Sequence, residues 1–215
     1  MMWRILIIIV LLSSCGGGDE TPIEHIASHS IEPNLETQSQ YNVYQPFIWL
    51  HPTDKASSII LASNRQQGFE FFNLQGQRLA RAAIGAIQAA DLHYHFPLNG
   101  TSIPLVAAVR QNKPTQFVLF HWQPQSLTLT DVTAGRINNE QPIEHLCFYH
   151  YRNDYGVFSV TQGGLLQQWR LAQTGSGQIQ AQQLQQLQLD EPVGHCVVDQ
   201  QLGYLYLSTQ GGILK

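Results

Sequence analysis

Charged residues are scarce in this chain. Of its 215 residues only 12% are Asp, Glu, Lys or Arg, and the formal net charge is -4 at pH 7. Lysine occurs only as Lys55, Lys113 and Lys215. A nucleic-acid partner requires clustered Lys and Arg to neutralise phosphates, so the composition excludes this class of partner. Glutamine carries much of the surface polarity instead, and a hydrophobic content of 43% is typical of a globular domain.

Long hydrophobic runs are also absent. Residues 5–12 are apolar, but they fall far short of the ~20 residues that span a bilayer as a helix. They follow Arg4 and precede small residues, which predicts an export signal over residues 1–15. The letters "LSSC" resemble the lipobox of bacterial lipoproteins, which predicts lipidation of Cys15; a secretory signal with an incidental Cys is the alternative. Gly16, in place of Asp, favours the outer membrane, facing the periplasm or the cell surface.

Residues 16–43 contain Gly, Pro, Ser and acidic residues without hydrophobic periodicity, which predicts a flexible linker. From residue 44 onward, short apolar runs of period two alternate with turn residues, which predicts β-strands throughout. Examples are "SSIILAS", "GFEFFNL" and "YLYLST". The Gln-rich "QIQAQQLQQLQL" fits a helix or an exposed strand, and we favour the strand.

The strands recur in a larger unit. An opening strand, a strand of small and apolar residues, and an aromatic strand repeat at a spacing of ~45 residues, which is the length of a β-propeller blade. Residues 44–215 then make an all-β, open propeller of roughly three to four blades. Because an open ring exposes strand edges, we expect a second propeller domain or chain to complete it, unless the sequence is a fragment.

Four stretches identify a family. "FIWLHPTD", "DLHYHFPL", "LCFYH" with "QQWRL", and "HCVVDQQLGYLY" occur in the order and at the spacings of the β-propeller phytases, which the chain resembles. The resemblance implies a fold related to six-bladed propellers and calcium-dependent hydrolysis of myo-inositol hexakisphosphate (phytate). Carboxylates at one end of the channel hold calcium in that family. Within the family, the chain resembles the incomplete N-terminal domain of tandem phytases.

The family's acidic residues are mostly replaced here. Tyr44 and Gln45 stand where the family has two Asp, and the Asp-Asp-Glu of the final motif is reduced to its first residue, Asp199. Asp91 persists in the second motif. Asp91 and Asp199 are therefore the remaining calcium candidates, too few for a tight site. Arg65 matches a basic residue of the family.

Two arginines are candidate phosphate contacts, Arg65 and Arg110, because a guanidinium fork suits phosphate oxygens. His93 and His95, two apart on a strand, are expected on one face, where they form a zinc site with His145 or His195, or serve only as packing residues. Cys147 and Cys196 are expected at equivalent positions as free buried thiols rather than as a cross-link.

The remaining aromatic and histidine residues are expected to be structural. Trp49, Trp122 and Trp169 should pack between blades. His51 should have a structural role at the end of its strand.

These observations favour a lipid-anchored, phytase-like propeller with a degenerate site, which assists a catalytic propeller or binds inositol phosphates. Two alternatives stay open: a weakly active 3-phytase that uses Asp91, Asp199 and Arg65, and an interaction module without a ligand that completes a partner propeller.

Overall fold

The computed structural model describes residues 43–215, which form sixteen β-strands and one short 3-10 turn, Lys55–Ser57. The export signal, Cys15 and nearly all of the linker lie outside these residues. Strands pair antiparallel with their neighbours along the chain and build four successive sheets. The expectation of an all-β, partial propeller is confirmed, and its blade count is four.

Blades 1 and 2 occupy the N-terminal half of the described region. Blade 1 contains β1 (Val43–Trp49), β2 (Ile59–Asn64), β3 (Gly68–Asn73) and β4 (Arg78–Ala82). Blade 2 contains β5 (Ile87–Leu98), β6 (Thr101–Arg110), β7 (Gln116–Gln123) and β8 (Thr128–Asp131), and β9 (Ile137–Asn138) also pairs with β7.

Blades 3 and 4 follow with the same order. Blade 3 contains β10 (Ile143–Tyr151), β11 (Asp154–Thr161), β12 (Leu165–Gln173) and β13 (Ile179–Gln188). Blade 4 contains β14 (Val193–Asp199), β15 (Tyr204–Thr209) and β16 (Gly212–Leu214). The Gln-rich segment is β13, so the choice of strand over helix is confirmed.

The first strands of the blades lie side by side, β1 against β5, β5 against β10, and β10 against β14. They therefore line the centre of the propeller, and the later strands of each blade lie progressively farther out. Tight turns join the strands. In the β3–β4 turn, the Asn73 side chain accepts hydrogen bonds from the backbone N–H groups of Gln75 and Gln77, while Gly76 adopts a φ of 74° that favours glycine.

Hydrophobic side chains fill the spaces between blades. Trp49 of blade 1 contacts Trp122 of blade 2, with ring centroids 5.9 Å apart, and Phe117 of blade 2 contacts Trp169 of blade 3 at 5.7 Å. The prediction that these tryptophans pack between blades is therefore confirmed. A third, smaller cluster joins blades 3 and 4 through Val160, Leu166, Val193 and Leu207.

His51 closes the turn after β1. Its Nδ1 accepts the backbone N–H of Asp54 at 3.0 Å, and Asp54 in turn caps the Lys55–Ser57 turn by accepting the N–H of Ala56. This agrees with its expected structural role. Within residues 43–215 no helix is long and apolar enough to cross a membrane.

Candidate functional site

Each blade begins with an irregularity at the same place. In all four first strands the pairing with the second strand shifts by one residue near the strand start, as in a β-bulge. The extra residues are Gln45, Gln88, Glu144 and Gly194. We call these four positions the bulge ring. Gln45 has a φ of 32°, which is uncommon outside glycine and marks a locally constrained backbone.

Side chains of the bulge ring tie neighbouring blades together. Gln45 Oε1 accepts the backbone N–H of Ala90 in blade 2 at 2.8 Å. Gln88 Nε2 donates to the carbonyl oxygen of Ile143 in blade 3 at 3.0 Å and to Glu144 Oε1 at 3.2 Å. Gln45 stands where the family resemblance leads us to expect an acid. Its side chain instead forms a hydrogen bond that links blade 1 to blade 2.

Asp91 lies on β5, three residues after the bulge. Its Oδ2 accepts the backbone N–H of Phe148 on β10 at 2.6 Å, and its Oδ1 accepts the N–H of Leu92 at 2.8 Å. Burial raises the Asp91 pKa to about 6, although both hydrogen bonds act in the opposite direction. The carboxyl group thus joins blade 2 to blade 3 and titrates close to neutral pH.

The Asp91 side chain borders a cavity of about 240 Å³ at the centre of the propeller. Gln45 of blade 1, Cys147 of blade 3 and Gln200 of blade 4 also line it. All four blades thus contribute to this cavity, and among the described residues that line it Asp91 is the only one with a carboxylate. A second cavity, of about 790 Å³ between blades 1 and 2, is lined by His95 but by none of the calcium and phosphate candidates.

Asp199 stabilises the turn after β14. It ends β14, where it pairs with Tyr204, and its Oδ1 accepts the backbone N–H groups of Gln201 at 2.9 Å and Leu202 at 3.0 Å. Asp199 does not line the cavity that contains Asp91. The structure therefore does not bring the two calcium candidates to one cavity.

Arg65 and Arg110 both lie where the first strands begin. Arg65 follows Asn64, which pairs with Val43 at the start of β1, and Arg110 pairs with Ile87 at the start of β5. The Arg65 guanidinium stacks over the Tyr44 ring at 4.2 Å, and the Arg110 guanidinium lies 5.7 Å from the Phe120 ring. Both cations thus lie at the bulge-ring end, held against aromatic faces, and their phosphate contacts stay a prediction.

Calcium takes about six to eight oxygen ligands. The described residues contain no group of three or more His, Cys, Asp or Glu side chains that could hold a metal ion. Both carboxylate oxygens of Asp91 already accept backbone N–H groups, as does one oxygen of Asp199. The donor set of residues 43–215 therefore does not fit a calcium site, and calcium binding stays a prediction from the family alone.

Comparison with known proteins decides the family. The family model described as Phytase matches residues 8–213, which is nearly the whole chain. The chain belongs to the phytase family. A curated relative, the 3-phytase of Bacillus subtilis (strain 168), is 22% identical over 171 residues, covering 77% of this chain and 45% of the relative. The phytase chain described here thus spans about half the length of that relative.

Among solved structures, the phytase chain is similar to a chain from "Crystal structure of BBS1N in complex with ARL6DN, soaked with lead". The identity is 8% and the TM-score is 0.47, with 76% of this chain and 48% of that chain covered.

The prediction that His93 and His95 lie on one face of their strand is wrong. A bulge in β5 shifts the pairing between His93 and Phe96, so the alternation of side chains is broken there. His93 is buried and His95 is exposed. His93 Nδ1 accepts the backbone N–H of His95 at 3.1 Å, and burial lowers the His93 pKa to about 4, as do the nearby His150 and His95. His93 is a neutral packing residue of the phytase propeller.

The expectation of free thiols is also wrong. Cys147 of β10 and Cys196 of β14 form a disulfide, with their Cα atoms 6.0 Å apart, a separation that disulfide geometry permits. The two are not at equivalent positions, since Cys147 lies two residues after His145 whereas Cys196 directly follows His195. The two strands lie side by side at the propeller centre, where the disulfide joins blade 3 to blade 4.

His145 and His195 do occupy equivalent positions, each directly after its bulge. Their ring centroids are 4.4 Å apart. Burial lowers the His145 pKa to about 4, and the neighbouring His195 acts in the same direction. His145 is therefore neutral at pH 7, and the two rings pack blade 4 against blade 3 beside the disulfide.

Sequence reasoning missed the bulge ring. A signal for it exists, because an apolar residue followed by Gln, Glu or Gly precedes the first-strand core in every blade: "YQPF", "IQAA", "IEHL" and "VGHC". Aligning the repeats on these letters would have revealed that Gln45 and Gln88 share one position. Their hydrogen bonds to the next blade depend on three-dimensional spacing that no single repeat contains.

Proposed function

We propose that this phytase chain is an auxiliary, non-catalytic propeller segment, and that it does not hydrolyse phosphomonoesters of phytate by itself. One observation carries the proposal. At the centre of the propeller, the polar side chains of Gln45 and Asp91 are engaged in hydrogen bonds between blades rather than directed at a shared metal. A site that activates water through calcium requires several free carboxylate oxygens, and residues 43–215 do not gather them.

The test is phosphate release from phytate by the full chain in millimolar Ca²⁺. The 3-phytase of Bacillus subtilis, assayed in parallel, is the positive control. We expect no release above the buffer blank. Release at a rate comparable with that of the control would contradict the proposal, because it would require a working catalytic centre in this chain.

Binding of inositol phosphates is a separate part of the proposal. Arg65 and Arg110 both lie at the bulge-ring end. Phytate carries several phosphate groups, and we propose that different phosphates of one molecule contact the two guanidinium groups. Calorimetry with phytate should detect weak binding that the double variant Arg65→Ala with Arg110→Ala reduces. Arg136→Ala, which removes an exposed arginine between β8 and β9, is the matched control. Equal binding by all three proteins would refute the assignment of these arginines.

The weakly active alternative makes a different prediction. If slow release occurs and calcium is required, Asp91→Asn and Arg65→Ala should each lower the rate. The interaction-module alternative finds support in blade 4, where Val197 is 62% exposed and Ile213 is 75% exposed. In this alternative, these side chains contact a partner propeller that the chain completes. Calorimetry without heat from phytate, together with association with such a propeller, would favour this module.

The anchoring of the chain rests on its sequence alone. We propose export and lipidation at Cys15, with the propeller at the outer membrane. Incorporation of radiolabelled fatty acid into the full chain, and its loss in Cys15→Ser, would support this, whereas equal labelling of both proteins would refute it.

A further inference from the structure

The outermost strand of blade 3 differs from those of blades 1 and 2. In blade 1 the outermost strand, β4, has five residues and includes Arg78 and Arg81. In blade 2 the β8 strand has four residues and ends at Asp131. The outermost strand of blade 3, β13, has ten residues and no charge. Short strands and charges are the usual protection of a sheet edge, and β13 lacks both.

The far edge of β13 is largely unpaired. On one side β13 pairs with β12 along its whole length. On the other side, within residues 43–215, backbone hydrogen bonds reach only Ile179, from Ala134 and to Val132. Eight of the ten residues of β13 are exposed, including Leu184 and Leu187. Residues 180–188 therefore present a row of backbone N–H and C=O groups to another strand.

The side chains of β13 match a strand of the same composition. Across the β12–β13 pair, Gln185 Nε2 donates to Gln168 Oε1 at 2.8 Å, and Gln167 Nε2 donates to Gln186 Oε1 at 3.1 Å. A glutamine amide both donates and accepts, so a row of glutamines is complementary to itself. An added Gln-rich strand would continue the ladder that β12 and β13 have already begun.

We propose that β13 is a homodimerisation edge, at which β13 of one copy pairs antiparallel with β13 of a second copy and joins two blades into one continuous sheet. The absence of charge removes like-charge repulsion between the two identical strands, and the antiparallel arrangement gives the two-fold symmetry of a homodimer. A contact of one strand pair is smaller than a standard interface of about 1,600 Å², so the dimer is weak and forms at high local concentration.

The first test is sedimentation equilibrium of the full chain in a density-matched non-ionic detergent. The wild-type chain should show a monomer–dimer equilibrium that shifts with protein concentration. The double variant Gln180→Glu with Gln182→Glu should weaken association at least about fivefold, because each strand then brings two like charges to the edge. Gln182 lies opposite Arg170 within the sheet, so its replacement by Glu should leave the blade folded.

The matched control is Thr128→Glu with Thr130→Glu on β8, which adds the same charge to the outermost strand of blade 2. It should associate as the wild type does. A wild-type chain that stays monomeric at all concentrations, or equal association of both double variants, would overturn the proposal.

Hydrogen exchange supplies a second measurement that does not depend on the register of the strand pair. Amide protons in residues 180–188 should exchange more slowly in the concentrated sample, while those in residues 128–131 should not change. Concentration-independent exchange at 180–188, or protection by an added β13 peptide without any self-association of the chain, would contradict pairing between two copies.

Discussion

Two contacts between blades are built by different means. Between blades 2 and 3, a cluster of eighteen buried hydrophobic residues is continuous from one sheet to the other. Between blades 3 and 4 the corresponding cluster has four buried residues, and the Cys147–Cys196 disulfide crosses the contact. The first contact is stabilised by burial of apolar surface, whereas the second combines a small buried cluster with a covalent link. A repeat fold can therefore vary the strength of each contact independently.

The largest expected effect is at the contact between blades 2 and 3. Phe117 is 1% exposed and packs against Trp169. Phe117→Ala should lower the free energy of unfolding by about 3–5 kcal/mol, because it removes a large buried ring and leaves a cavity. Leu207→Ala in the smaller cluster should fall at or below the low end of the range for buried leucines, about 2 kcal/mol. Urea denaturation measures both, and equal losses would contradict the ranking of the two contacts.

The disulfide is the next largest contribution. Replacing both cysteines by serine should cost about 2–4 kcal/mol, since the bond closes a long loop in the unfolded chain. The loss should concentrate in blade 4. Hydrogen exchange should therefore accelerate for the amides of β15 and remain slow for those of β6. Uniform acceleration across both strands would indicate that the bond stabilises the whole propeller rather than one contact.

The fold was largely predictable because its information is local. Alternation of apolar residues, turn residues and the ~45-residue repeat are each visible in one stretch of sequence. The disulfide was not predictable, since it depends on the stagger between β10 and β14. The bulge in β5 was likewise hidden, and it separates His93 from His95.

Acid should weaken both contacts. The pKa of His93 and of His145 is about 4 in the folded chain, below the usual 6.5. The neutral form is thus favoured by folding, so this stability is present above pH 6.5 and is lost as the pH falls towards 4. His93 faces His95, His150 and Tyr155, and His145 faces His195.

The measurement is the free energy of unfolding between pH 7 and pH 4. His93→Gln and His145→Gln should each flatten this pH dependence, because each removes an imidazole whose pKa is about 4 in the folded chain. An unchanged slope in His93→Gln would show that its imidazole does not control acid stability.

Asp91→Ala should have a smaller effect. It leaves the backbone N–H groups of Phe148 and Leu92 without their acceptor, which costs about 1–3 kcal/mol. The Asp91 pKa is raised to about 6, so the stabilisation by this residue is present below its ordinary value of 3.8 and is lost as the pH rises through 6. The variant should therefore lose more stability at pH 5 than at pH 8. The reverse order would mean that the ionised carboxylate is the favoured form.

The candidate site was less predictable than the fold. The position of Asp91 was visible in the motifs. The use of its carboxylate was not, because Phe148 is distant in sequence and becomes a partner only when β5 and β10 lie side by side. The same holds for Gln45 and Ala90. In this propeller Asp91, which the sequence predicts as a calcium ligand, acts together with Gln45 as a structural link between blades.

Thermal denaturation with and without calcium tests most directly whether Asp91 is a structural link or a metal ligand. A ligand that binds only the folded chain raises the melting temperature, by an amount equivalent to about 2.7 kcal/mol at a hundredfold excess over Kd. We expect the melting temperature of the full chain to be the same in millimolar Ca²⁺ as in chelator. A rise with Ca²⁺ that Asp91→Asn abolishes would contradict it and would restore Asp91 as a metal ligand.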